Sequence, residues 1–240
     1  MQAAKFDRQT DRQTDRQTDR QTDRQTDRQT DRQTVKYYLK FVRNKIEFHF
    51  GHNKFQKARS NSITYGKNSR FRYCNVVVHG SNNKVIFGNN CNMRGLHILI
   101  EGDNNIIEFG DHVTVNASKI QPTVINAVGG TNIKIGIGSL FSNNIEIHSS
   151  DYHGIYNKNG ERINPDKDII IGKNVWIGLG CKVLKGSVIS DGSVVGAGSL
   201  VSGTFSEKNV IIAGNPAKIV KSKKFFGKVQ EKNTILFQMN

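Results

Sequence analysis

Three of the seven histidines fall at a spacing that could do chemistry. His148 and His153 form an H-x4-H pair, and His112 lies thirty-six residues before His148. Three neutral imidazoles can hold Zn²⁺ and leave a fourth position open for an activated water. His153 also sits in a polar stretch, residues 150–167, that reads SDYHGIYNKNGERINPDK. Asp151, two residues ahead of it, has the spacing either to orient the imidazole or to remain a solvated loop carboxylate. The three cysteines, Cys74, Cys91 and Cys181, are odd in number and show no C-x-x-C pair. They therefore supply no disulfide or metal framework, as expected of a reducing cytoplasm.

These side chains need a scaffold, and the chain spells one out. From Ile171 to Ser206 it repeats every six residues: IGKNVW, IGLGCK, VLKGSV, ISDGSV, VGAGSL, VSGTFS. Each block opens on an aliphatic residue, and small residues dominate its second and fifth positions. A period of six fits neither a helix nor an alternating strand; it fits an all-β parallel β-helix, each block forming one side of a coil. Ile135, Phe141 and Ile147 keep the same phase, the last of them twenty-four residues before Ile171. Coils from 63 to 129 are looser, and Cys181 takes a small-residue position that reads as packing.

The predicted organisation is therefore a repeat tract at 1–34, an N-terminal cap at 35–62, a β-helix at 63–217 and a basic C-terminal tail at 218–240. Residues 150–168 break the beat and are expected to form a loop extruded between coils, where function tends to reside. The cap carries Tyr37, Tyr38, Phe41, Phe48 and Phe50 among basic residues, which also suits an anionic membrane surface. There is no apolar run near eighteen residues and no signal-peptide pattern.

Formal net charge is +15, carried at the ends: residues 73–217 hold eleven Lys/Arg against eleven Asp/Glu, while 35–72 hold ten basic residues against Glu47. A basic flank suits a polyanion such as an acidic polysaccharide or a phosphate-bearing cofactor, and no nucleic-acid motif accompanies it. Residues 7–34 are DRQT seven times over. Reading GACA continuously in triplets encodes Asp, Arg, Gln, Thr, so a slipping tetranucleotide array accounts for the peptide and predicts phase-variable expression. With no apolar residue the tract is expected to be disordered.

The segment from Ile171 to Lys221, with its VWIG and GNPAK elements, resembles the C-terminal coils of hexapeptide-repeat acyltransferases, and SDYHGIYNKNGERINPDKDIIIG is similar to bacterial capsule and polysialic-acid O-acetyltransferases. The resemblance is good over 130–222, loose over 63–129 and absent before 60. It implies a left-handed β-helix, a homotrimer, and acetyl-CoA held in clefts between subunits, in a cytoplasmic enzyme acting on a surface polysaccharide. It implies that His153 is the general base, for which an imidazole titrating near neutral pH is suited. Trp176 would line the acceptor and cofactor cleft. Gly178 and Ala197 would give way to the pantetheine arm, and Lys218 and Lys221 would meet the cofactor phosphates. Tyr152 and Asn157 are candidate acceptor contacts, and no metal is expected. One departure is Ser202-Gly203, where the family often has Thr-Lys. The histidine spacing also resembles the γ-class carbonic anhydrases, although Glu101-Gly102-Asp103 replaces that family's R-G-D. A non-catalytic β-helical scaffold is the third reading.

Overall fold

The structure, a computed structural model, describes residues 51–222. The DRQT tract, most of the expected cap and the tail from residue 223 lie outside the described residues. Within them the chain forms twenty-two short strands and no helix. The strands fall into three sheets, and each strand from Lys54–Lys57 to Val194–Val195 pairs in parallel with the strand three places on. Three strands thus make one coil of a three-sided prism. Its face A runs from Lys54–Lys57 to Leu200–Val201, face B from Ser62–Tyr65 to Thr204–Phe205, and face C from Arg70–Arg72 to Ala217–Lys221. The chain is the left-handed parallel β-helix expected of it.

Each strand turns alternate residues inward. On face A the inward column is Val76, Ile98, Ile125, Ile147, Val183 and Val201; on face C it is Met93, Val115, Phe141, Ile177, Val195 and Ile212, all fully buried or nearly so. Burying such a side chain is worth about 1.5–3 kcal/mol, and the columns run the length of the prism. Corners need a left-handed residue. Asn68, Asn90, His112, Gly138, Asn174, Gly192 and Asn209 successively fill that conformation between faces B and C. His112 is therefore one rung in a column of turn residues.

Pairing begins at Lys54, inside the stretch assigned to the cap, because Lys54–Lys57 adds a strand beneath Asn75–Val78. Its alternation is masked by lysines, and only Phe55 packs on the core. Likewise Ala217–Lys221 turns back antiparallel on Ile211–Gly214, so Lys218 and Lys221 belong to the last strand of face C. The three cysteines are buried and unpaired with one another; burial pushes the Cys74 thiol up to about 11.

Candidate functional site

Face A hands the chain to face B between Glu146–His148 and Ile169–Ile171, and here residues 150–168 leave the coil. Glu146 pairs with Lys182, thirty-six residues on, whereas the next coil needs only eighteen, from Lys182 to Leu200. The loop is thus an eighteen-residue insertion at one corner. It returns to the prism where the Lys167 amide donates to the Ser149 carbonyl at 3.0 Å.

Polar side chains hold the loop where no apolar core could form. Asn164 donates from Nδ2 to Asp151 Oδ2 at 2.8 Å and to the His153 carbonyl at 2.8 Å, and its Oδ1 accepts from the Ile155 amide at 2.6 Å. Lys185, from the next coil, reaches Asp151 Oδ2 at 2.5 Å and the Asn164 carbonyl at 2.8 Å. The Lys185 ammonium and the Asn164 amide hold the Asp151 carboxyl below its usual range. Asp151 therefore fixes the base of the loop; its link to His153 is through the backbone, its carbonyl accepting from the His153 amide at 2.8 Å. His153 itself is exposed, immediately after Tyr152, which adopts φ 63°. A left-handed conformation at an aromatic residue is uncommon and tends to persist where surrounding contacts impose it. The Ser150 hydroxyl accepts from the Tyr152 amide at 2.9 Å, and the ring meets His148 edge-on at 6.3 Å.

Farther out, Asn157 is committed to the loop's own tip. Its Oδ1 accepts from the Asn159 and Glu161 amides and its Nδ2 donates to Glu161 at 2.7 Å. An acceptor-contacting role for Asn157 has to compete with those bonds, whereas Tyr152 keeps an exposed ring.

The remaining predicted residues lie elsewhere. Trp176 stands half-buried on the outer surface of face C between Leu140 and Val194, its Nε1 3.5 Å from the Ser142 hydroxyl. Gly178 and Ala197 stack in adjacent coils at the corner from face C to face A. A Cβ on Gly178 would stand 2.8 Å from the Ala197 amide nitrogen and the Val195 carbonyl, so the close stacking of the two coils requires glycine there; Gly178 is buried and Ala197 exposed. Lys218 and Lys221 are exposed on the final strand of the same face. The structure thus groups Tyr152, His153 and Asn157 at the corner between faces A and B, and groups Trp176, Gly178, Ala197, Lys218 and Lys221 on or beside face C. In a triangular prism that corner is opposite that face. One chain does not bring the two groups together.

The histidine trio is not assembled either. His112 fills a turn between faces B and C, while His148 ends a strand of face A, and among the described residues no group of three His, Cys, Asp or Glu could hold a metal ion. His148 is instead tied into face A: its Nδ1 lies 3.2 Å from Asn126 Nδ2 and its Nε2 3.5 Å from Glu146, which Lys182 also meets at 3.1 Å. Sequence reasoning missed this cluster and the clamp made by Asn164 and Lys185. Asn164 precedes a proline within the motif, the only signal that marked it.

No protein-family model matches the chain. It is 44% identical over 104 residues to a polysialic acid O-acetyltransferase of Neisseria meningitidis, covering 43% of this chain and 48% of that protein. It is 45% identical over 91 residues to a polysialic acid O-acetyltransferase of Escherichia coli O1:K1, covering 38% and 29%. The chain therefore spans about half the length, or less, of these curated relatives. Among solved structures, the polysialic acid O-acetyltransferase OatWY superposes with a TM-score of 0.56 at 30% identity, over 76% of this chain and 93% of that one. The polysialic-acid-specific acetyltransferase NeuO gives 0.54 at 26%, over 76% and 91%.

Proposed function

This chain belongs to the hexapeptide-repeat acyltransferases, and from that premise we propose that it transfers acetyl from acetyl-CoA to a hydroxyl of an acidic bacterial surface polysaccharide. A polysialic-acid-type capsule is the leading acceptor. The observation that carries the reading is the braced loop: a polar clamp fixes the backbone on both sides of His153 and leaves its side chain exposed. A residue held that way is suited to meet a substrate that arrives from outside the coil.

In the proposed reaction the acceptor hydroxyl gives its proton to His153 as its oxygen attacks the thioester carbonyl. The tetrahedral oxyanion is met by backbone N–H groups and collapses, breaking the C–S bond, and the thiolate takes the proton back from the imidazolium. Trp176 would form a wall of the cleft, and the small residues at Gly178 and Ala197 would leave room for the pantetheine arm along the corner. Lys218 and Lys221 would face the nucleotide phosphates. Because the loop and face C lie on opposite sides of one prism, the reading requires that the loop of one subunit meet face C of another, as in a homotrimer. Phase-variable expression through the DRQT array, cytoplasmic placement and contact with the inner membrane face complete the proposal.

The test is thiol release from acetyl-CoA by the purified protein, scanned over polysialic acid, neutral capsule glycans and small sugars, with His153→Ala alongside. Release that depends on acceptor and vanishes in His153→Ala supports the reading. No release with any acceptor returns the protein to the scaffold reading, and stoichiometric bound zinc would revive a metal hydratase.

A further inference from the structure

The three faces differ in charge. Face B mixes signs, with Glu108 beside Lys134 in adjacent strands, and face A carries Glu101 and the Glu146–Lys182 pair. Face C carries no acid at any outward strand position. Following its strands upward, the outward residues are Arg70 and Arg72, then Asn92 and Arg94, Thr114 and Asn116, Leu140 and Ser142, and then Trp176. The corner leading from face C to face A adds Lys119 and no carboxylate. Arg70, Arg72 and Arg94 are exposed, and among the described residues none enters an ion pair; Arg72 lies 5.1 Å over the ring of Tyr73, which limits its freedom.

We propose that Arg70, Arg72 and Arg94 form a remote subsite for the acceptor, which binds carboxylate groups of an anionic polysaccharide whose chain runs along face C to Trp176. This rests on the acceptor reading above. Three features favour a linear polymer. Guanidinium groups present paired donors that match carboxylates. Strands stack about 4.8 Å apart, so the strip from the Arg70 coil to the Trp176 coil is about 19 Å long and one strand-width across, a track for several sugar units. The stretch between is lined by Asn92, Thr114, Asn116 and Ser142, side chains that hydrogen-bond hydroxyls, and it ends on an indole that can stack on a sugar face. A lipid surface would call for apolar side chains interleaved with the arginines; the exposed ones nearby, Ile120 in the corner above Arg94 and the ring of Tyr65 against Phe71, lie beside the strip, and the outward positions of the Arg70–Arg72 and Asn92–Arg94 strands hold none.

The experiment uses the full chain with an Arg72→Gln/Arg94→Gln double variant, exposed positions at which folding is checked by an unchanged Tm. Binding of long polysialic acid is measured in the His153→Ala background, which separates binding from turnover. The double variant is expected to bind about tenfold more weakly, with a shallower dependence on salt, because fewer charges are neutralised. In the active background KM for the polymer should rise to the same degree, while KM for acetyl-CoA and the rate on a short sialyl oligosaccharide stay at parental values. Unchanged polymer binding in the double variant, with normal turnover, overturns the subsite and leaves the acceptor reading intact. Binding of anionic vesicles or single-stranded DNA as tight as that of the polymer overturns the choice of ligand. A parent that turns over neutral acceptors alone overturns the acceptor reading itself and the subsite with it.

Discussion

The coils before the loop and those after it build the same prism from different materials. Before it, most coils take twenty-two residues, as from Asn75 to His97 or Lys84 to Ile106, the coil with the corner at 117–122 takes twenty-six or twenty-seven, and strands on face B are four residues long. After it, a coil takes eighteen, as from Ile170 to Val188 or Trp176 to Val194, and most strands are two long. The extra residues of the long coil leave a polar corner inside the backbone, and buried amides fill it. Asn83 donates from Nδ2 to the Gly102 carbonyl at 2.8 Å and its Oδ1 accepts from the Asn105 amide at 2.8 Å, while Asn61 stands in the same relation one coil below. The ladder then changes hands: Asn105 accepts from the Thr131 amide, and Thr131 donates to the Ser149 hydroxyl at 2.7 Å. Ser149 directly precedes the loop. Beyond it the short coils have serine and glycine at their corners. The insertion that carries His153 thus lies at the seam between two packing regimes, where the spacing of coils is already being reset.

If the seam carries function and the two regimes carry stability, His153→Ala should give the largest effect of all. Loss of a general base is worth about 10²- to 10⁴-fold in rate, and the exposed site predicts an unchanged Tm. A normal rate would sink the assignment, and a lowered Tm would show that the loop supports the fold.

Next in size, and purely structural, is Asn83→Ala in the long coils. It leaves the buried Asn105 amide without its partner and removes the donor to the part-buried Gly102 and His79 carbonyls. At about 1–3 kcal/mol for each buried group left without a partner, partly relieved by relaxation, a loss of about 3 kcal/mol is expected by denaturant titration. Ser187→Ala in the short coils loses only the single hydroxyl proton shared between the Leu184 and Val201 carbonyls, and about 1 kcal/mol is expected. Equal losses would mean that the two regimes do not differ as described.

The clamp at the seam should respond to acid. Asp151 has its folded pKa depressed by Lys185 and Asn164, so its contribution to loop order is fully present above the ordinary carboxylate value and is lost as pH falls through the depressed one. In Lys185→Met the first cause is removed, and the loop should open at a higher pH than in the parent. Limited proteolysis across 150–168 reads this directly, and coincident midpoints for the two proteins would disprove the clamp. Because Asp151 is largely exposed, the effect on global stability should be slight.

The two regimes were unequally legible in the sequence. In the short coils one inward aliphatic per side makes the period six, and the residues from Ile171 to Ser206 read directly as coil sides. In the long coils each four-residue strand turns two residues inward, such as Val85 and Phe87, so the six-residue beat is diluted. A period was present all the same: Gly66, Gly88 and Gly110 are twenty-two apart, as are Asn61, Asn83 and Asn105. A Cβ at any of these glycines would come within 2.8 Å of the backbone of the coil above, which explains the spacing. The position of His153 on an extruded loop was readable from a broken beat. The clamp was not, since Asn164 meets Asp151 only after the chain folds back over thirteen residues, and Lys185 comes from another coil. The separation of His153 from Trp176 was hidden for a related reason: twenty-three residues apart in sequence, they are placed by the prism on opposite sides.

The smallest effect expected is also the sharpest test of how the two regimes differ. Ser193 is fully buried in the short coils, and its hydroxyl has no hydrogen-bond partner. Its neighbours in the same role, Ser187 and Ser199, each donate to a carbonyl of their own turn, at 2.6 Å in both cases. A buried hydroxyl without a partner costs free energy that a methyl group does not. Ser193→Ala removes that cost and leaves no cavity larger than the oxygen it deletes. The variant should therefore be as stable as the parent or more stable by up to about 1 kcal/mol, whereas in the long coils truncating any rung of the asparagine ladder is destabilising. A loss of more than that amount in denaturant titration would mean that the Ser193 hydroxyl is satisfied after all. The short coils would then rest on a polar ladder as complete as the long ones, with serine in place of asparagine.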